Sequence, residues 1–165
     1  MTNATEFAEF ASAASPRLRR TAFLLCGNWH TAEDLAQTAL ARAYASWPRV
    51  RRADDQDAYV RRILLNANRT RFRSRRVAEQ LTADLPDPGT PDPTGARDDR
   101  SALMAAMAAL PAGQRAVVVL RYWLDLTEPQ VAAALGCSVG NVKSQAARGL
   151  AKLRLSPELA EGELR

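Results

Sequence analysis

Seven arginines fall within sixteen residues, at Arg61, Arg62, Arg69, Arg71, Arg73, Arg75 and Arg76, and no acidic residue lies among them. Such a run repels itself unless solvent or a polyanion screens it, because no carboxylate sits at helical i,i+4 spacing to pair with it. Phosphate neutralisation is the chemistry it suits. A solvated face and a membrane-surface helix are the competing readings, but the second needs a bulky apolar face, and after Leu65 only Phe72 is bulky. A second group, Asn141, Lys143, Ser144, Gln145, Ala147 and Arg148, mixes amides, a hydroxyl, cations and a small side chain. Amides and hydroxyls suit base edges, cations suit phosphate or guanine, and the small residue permits close approach. Neither group makes or breaks a bond. No nucleophile–base pair and no nucleotide-binding loop is visible, so the expectation is no enzyme, no catalytic residue and no cofactor. Cys26 and Cys137 lie far apart and His30 is the single histidine, which gives neither a disulfide framework nor the ligands for a metal site.

The second group needs a scaffold, and Leu126 to Leu153 supplies one that reads as two short helices joined by a tight turn. Thr127 can cap the first helix while Gln130 reaches back in the capping-box pattern. Pro129 falls in the first turn, where its missing N–H costs little. Val131, Ala134 and Leu135 recur at helical spacing, and Gly136 can take the left-handed conformation that ends the helix. Ser138 caps the next helix, whose Val142, Ala146, Leu150 and Leu153 form a buried stripe opposite the polar group. The pattern is that of a DNA-reading helix-turn-helix; an ordinary helical hairpin with a solvated face is the alternative.

The whole chain has 165 residues, 47% hydrophobic but rich in alanine and only 6% aromatic, which favours small helical units over a large sheet or barrel. All-α is the expected class. Net charge is +5 and is unevenly placed: residues 1–85 are net +5, residues 86–100 net −2 and residues 101–165 net +2. Two basic bodies thus flank an acidic connector, and a polyanionic partner is favoured. No apolar run reaches membrane-spanning length, and MTNATEFAEF lacks a basic region followed by an apolar core, so no membrane insertion and a cytoplasmic, reducing location are expected.

Phe7, Phe10, Ala11 and Ala14 share a helical face, and Pro16 is expected to begin or kink a second piece carrying Leu18, Ala22 and Leu25. Gly27 and Asn28 end it. Thr31 is expected to cap the next helix, which buries Leu35, Ala39, Ala43 and Trp47, shows Glu33, Asp34, Gln37, Thr38 and Arg42 outward, and stops at Pro48. From about Asp57 a further helix has Val60, Ile63, Leu64 and Ala67 inward and the arginine run outward. Residues 79–100, EQLTADLPDPGTPDPTGARDDR, show no apolar period and read as a linker, either a passive spacer or an acidic strand able to mimic nucleic acid. Asp98 or Asp99 can cap a helix with Leu103, Met107 and Leu110 in a stripe. Pro111 opens another, in which Ala116, Val117, Leu120 and Trp123 or Leu124 pack beneath the helix-turn-helix. The tail after Leu155 is expected to be mobile.

Three segments, AEDLAQTALARAYASWPRV, YVRRILLNANRTRFRSRR and ALPAGQRAVVVLRYWLDLTEPQVAAALGCSVGNVKSQAARGLAKLR, resemble in this order the extracytoplasmic-function (ECF) sigma factors of bacteria, members of the sigma-70 superfamily. The likeness spans about residues 5 to 155 and is strongest to short actinobacterial members of the sigma-E kind. It implies two small helical domains, region 2 over residues 5–78 and region 4 over residues 100–154, joined by a flexible acidic, Pro-rich linker at 79–99 and followed by a tail at 155–165. It further implies a transcription initiation factor, monomeric when free, that binds core RNA polymerase at the beta′ clamp helices and beta flap, melts promoter DNA and admits an anti-sigma factor as a further partner. By motif position Asp34, Leu35, Gln37 and Arg42 map to the polymerase-contacting helix. Arg49, Arg51, Arg52 and Tyr59 map to the loop and helix start that capture unpaired bases, and Arg62, Asn66, Arg69 and Arg73 to the minus-10 element. Ser138, Asn141, Lys143, Ser144, Gln145 and Arg148 map to the minus-35 element. Gln130, Asn141, Thr70 and Arg71 depart from residues common in the family, which bears on promoter sequence rather than on class. Two other readings stand beside it: a helix-turn-helix regulator that does not bind polymerase, and a helical adaptor whose basic surface meets acidic proteins or lipids.

Overall fold

The computed structural model describes residues 2–81 and 99–156, and the described residues are helical with short connections and no strand. In order they form α1 (Asn3–Cys26), α2 (Trp29–Ala45), α3 (Trp47–Val50), α4 (Gln56–Leu81), α5 (Asp99–Ala108), α6 (Ala112–Val118), a π-helical turn (Val119–Trp123), α7 (Glu128–Leu135) and α8 (Val139–Arg154). The all-α expectation holds. Helix α4 runs through Leu81, and residues 82–98, which make up most of the expected linker, lie outside the described residues, as does the tail from residue 157.

Apolar residues at three- and four-residue spacing build two cores. The first gathers Ala14, Leu18 and Ala22 of α1, Leu35, Ala39 and Ala43 of α2, Trp47 and Val50 of α3, and Val60, Leu64 and Ala67 of α4. Trp47 seals it, with its ring centroid 5.3 Å from those of both Phe7 and Phe10. A fully buried side chain such as Leu64 contributes roughly 1.5–3 kcal/mol by leaving water. The second core holds Met107, Leu110, Val117, Leu120, Val131 and Val142, together with Leu25 of α1 and Leu65 of α4. Those two leucines carry the second core across to the first body. Leu124 packs on this core while Trp123 stays 48% exposed, which settles the choice left open between them.

One local expectation narrows and two change. Helix α1 continues through Pro16 without ending. The break before Pro48 comes earlier, at Ser46, because Pro48 occupies the first turn of α3, where a missing N–H is tolerated. The cap of α2 is Asn28, not Thr31: Gly27 ends α1 in the left-handed conformation, Asn28 is extended, and its Oδ1 accepts the Thr31 N–H at 3.0 Å. The helix-turn-helix matches its signature. Thr127 Oγ1 accepts the Gln130 N–H at 3.3 Å and Gln130 Oε1 the Thr127 N–H at 2.8 Å; Gly136 turns left-handed at φ 69°, and Ser138 Oγ accepts from the Asn141 N–H at 3.1 Å. Gly149 is buried under α6, where an added Cβ would stand 2.9 Å from Val118 Cγ2, so this position requires the close helix approach that only glycine allows.

Removing the cap at Asn28 separates the two candidates for that role. Asn28→Ala is expected to lower stability by about 1 kcal/mol and Thr31→Ala by much less, measured by thermal melting. Equal losses would return the cap to Thr31.

Candidate nucleic-acid interface

Helix α4 displays Tyr59, Arg62, Asn66, Arg69 and Arg73 at steps of three and four residues, so they form one stripe along a single face. Asp55 starts this helix by accepting the Ala58 N–H at 2.9 Å. Arg62, Asn66, Arg69 and Arg73 are exposed, and Tyr59 is half-buried against the first core, leaving part of its ring for stacking. Arg49 and Arg52 are exposed in and after α3. Arg51, placed by its motif with the base-capturing loop, has another occupation here. It donates to Asn3 Oδ1 at 2.9 Å and to Glu6 at 3.3 Å, tying that loop back to α1.

The recognition helix α8 exposes Ser138, Asn141, Lys143, Ser144 and Arg148, with Gln145 half-buried and Val142 and Ala146 beneath. Lys143 Nζ lies 3.8 Å from a Glu128 carboxylate at the start of α7, an ion pair exposed enough to exchange for a phosphate. On α2, Asp34, Gln37 and Arg42 share the outward face, Asp34 with His30 Nε2 3.8 Å away. Leu35 does not share it. Its side chain is 4% exposed in the first core, so it braces that face from below and cannot itself touch a partner.

Sequence patterning missed Arg115. Its Nε donates to the Met107 carbonyl at 2.8 Å, Nη2 to those of Ala108 at 2.6 Å and Leu110 at 3.1 Å, and Nη1 to that of Leu25 at 2.9 Å. Met107, Ala108 and Leu25 lie in the last turns of α5 and α1, where helix carbonyls lack intrahelical partners and the dipole is negative. Burial lowers the pKa of this guanidinium from its ordinary value, the nearby Cys26 thiol opposes that shift, and Arg71 adds to it. Burial likewise pushes the Cys26 thiol up, against a backbone hydrogen bond at Asn28 and the charges of Arg71 and Arg115; its Sγ–H also donates to the Asn28 carbonyl at 3.3 Å. Among the described residues no cluster of His, Cys, Asp or Glu can hold a metal ion, and no helix is long and apolar enough to cross a membrane.

The chain matches two family models, Sigma-70 region 2 over residues 10–77 and Sigma-70, region 4 over residues 100–153. It is 42% identical over 149 residues to the RNA polymerase sigma-E factor of Streptomyces antibioticus, covering 90% of this chain and 83% of that one. It is 34% identical to the ECF RNA polymerase sigma factor EcfG of Rhodopseudomonas palustris, covering 86% and 79%. Among solved structures, the sigma factor RpoE from Bartonella quintana, crystallised with the anti-sigma factor NepR, superposes with a TM-score of 0.76 at 26% identity over 94% of this chain and 97% of that one.

Arg115→Lys keeps the charge but loses the planar fork that reaches several acceptors. It is expected to cost about 2–3 kcal/mol, since charged hydrogen bonds are lost and carbonyls are left unmet. Denaturant unfolding measures this, and an unchanged midpoint would show the cluster to be incidental.

Proposed function

The chain belongs to the ECF sigma factors of the sigma-70 family, and from that premise we propose how its residues divide the work of transcription initiation. It is a sigma factor, acting with core RNA polymerase on promoter DNA. The observation that carries the residue-level reading is the single stripe Tyr59, Arg62, Asn66, Arg69 and Arg73 on α4, inside the region 2 match, on a chain whose region 4 match ends in an exposed, capped recognition helix.

In this reading residues 5–78 act as region 2 and residues 100–154 as region 4. Asp34, Gln37 and Arg42 on the outer face of α2 meet the beta′ clamp helices, and region 4 meets the beta flap. Tyr59 offers a ring on which an unpaired minus-10 base stacks, and Arg62, Arg69 and Arg73 neutralise the strand's phosphates while Asn66 is placed for a base edge. Arg49 and Arg52 flank the same path. Helix α8 enters the minus-35 major groove with its N-terminal half deepest, so Ser138, Asn141 and Ser144 are nearest the bases and Lys143, Gln145 and Arg148 nearer the backbone. Melting then needs no catalytic group. A few kcal/mol per unstacked step, as an order of magnitude, is offset by binding the extruded base better than the stacked one. The protein contributes binding and positioning, while bond formation belongs to the polymerase. An anti-sigma factor, the kind of partner crystallised with the Bartonella sigma factor, is a further expected ligand.

Asp34→Ala and Gln37→Ala, both on exposed positions, are expected to weaken capture of core polymerase in the absence of DNA by roughly tenfold, the value of one or two interfacial polar contacts at about 1.4 kcal/mol per decade. Their melting curves should match the parent. Core binding by both variants at the parental level would remove α2 from that interface.

A further inference from the structure

Residues 51–55 join α3 to α4, and α1 holds this loop from both ends. At the entry, Trp47 of α3 packs its ring 5.3 Å from those of Phe7 and Phe10, and Val50 is fully buried. The Arg51 guanidinium then reaches over the start of α1. Its Nη1 donates to Asn3 Oδ1 at 2.9 Å and its Nη2 to Glu6 Oε1 at 3.3 Å, with Glu6 Oε2 at 3.3 Å as well. At the exit, Arg17 Nη2 donates to both carboxylate oxygens of Asp57 at 3.1 Å. Between these struts the Gln56 amide donates to the Arg51 carbonyl at 3.3 Å, the Ala53 N–H to the Val50 carbonyl at 3.1 Å, and Asp55 starts α4. Arg52 and Asp54 stay exposed.

These struts add little to folding stability, because exposed ion pairs contribute little. Position is what they fix. The first residues of a domain fray unless they are tied down, and here they are tied: Thr2 Oγ1 accepts the Thr5 N–H at 3.2 Å, and Glu6 stands in the first turn, where the helix dipole favours a carboxylate. An ordered helix start therefore meets a loop that would otherwise sample many backbone states. A loop that reads single bases needs its groups held to within about 0.5 Å. A phosphate seeking Arg51 would have to displace two acceptors at once.

We propose that the start of α1 is a positioning brace for promoter reading: Asn3 and Glu6, acting through Arg51, hold the loop at residues 51–55 in the arrangement that captures an unpaired minus-10 base. Arg51 thereby serves α1 and not DNA, and Arg52, exposed in the same loop, is the cation left for the strand. The inference rests on the reading of this loop as the base-capturing element. Asn3 and Glu6 act through Arg51, so their effect falls on selectivity at one base and not on overall binding.

Two variants of the full chain test this. Asn3→Ala together with Glu6→Gln removes the brace, and Glu6→Arg together with Arg51→Glu reverses its polarity. With core polymerase on templates randomised across the minus-10 element, the first should lose preference at one position by about fivefold, if the loop then stands aligned one time in five. Preference at minus-35, capture of core polymerase and the melting temperature should stay parental. In the free chain, hydrogen exchange of the Ala53 N–H should quicken by a similar factor. Arg51→Glu alone should lose the same preference, and the reversed pair should regain most of it, because a brace works in either polarity and a phosphate contact does not. Parental base preference in the first variant, or unchanged exchange at Ala53, would overturn the brace. So would a loss spread evenly over all positions with a lowered melting temperature, the mark of simple destabilisation. A reversed pair no better than Arg51→Glu would put Arg51 on DNA and overturn its part. Absence of any minus-10 preference in the parent would instead overturn the promoter reading, while exchange at Ala53 would still judge the brace.

Discussion

A guanidinium facing the bare carbonyl ends of helices is the interaction on which this structure turns. Arg115 joins the last turn of α5, the loop at Leu110 and the end of α1 with one planar group. Taking a cation out of water is costly unless its donors are met, and here four carbonyls meet them. Two of those acceptors, Leu25 and Ala108, stand at helix ends, where intrahelical donors run out. Lysine, a point charge on a flexible stem, has no geometry that serves separated carbonyls at once. Around this anchor the π-helical turn and α7 are placed, and with them the recognition helix, whose own close approach depends on the buried Gly149 beneath Val118.

From that frame the functional logic is one of faces rather than pockets. Helix α2 buries Leu35, Ala39 and Ala43 and leaves Asp34 and Gln37 outside; α4 buries Val60, Leu64 and Ala67 and leaves its arginines outside; α8 buries Val142 and Ala146 and leaves Asn141, Lys143 and Ser144 outside. Each outward face is held by an inward one, so rigidity of the cores becomes accuracy at the surface. A factor that works by binding needs this and no reactive group. The arginines of α4 repel one another, a cost that a phosphate backbone removes and that the free chain relieves in part by giving Arg69 a carbonyl.

Much of this was legible in the chain because helices write their burial at intervals of three and four. The stripes Leu35, Ala39, Ala43, Trp47 and Val60, Leu64, Ala67 are buried as that spacing implies, and the Thr127–Gln130 box closes as its signature requires. Boundaries were harder. Asn28 and Thr31 are both good caps three residues apart, and only the left-handed turn at Gly27 decides between them. Tertiary partners were illegible: nothing near Arg115 in sequence points to Leu25, 90 residues away, nor does anything near Arg51 point to Glu6, 45 residues away. Leu65, outside the Val60, Ile63, Leu64 and Ala67 stripe, gives no sign of a partner in sequence, yet its side chain is buried in the other core. Spacing alone suggested phosphate contact for the arginines and groove contact for α8; the roles of individual residues toward polymerase, minus-10 and minus-35 came from the family motifs.

Run-off transcription shows whether this chain directs core polymerase to promoters through the stripe on α4 and the recognition helix. The purified chain is added to actinobacterial core enzyme on a library of promoter-length templates, and the transcribed templates are sequenced. Transcripts should depend on the added chain, start downstream of two shared elements at minus-35 and minus-10, and be lost when Arg62, Asn66 and Arg69 are together changed to alanine. Transcription no greater than that of core alone, or initiation with no shared upstream elements, would show that the chain does not direct polymerase in this way.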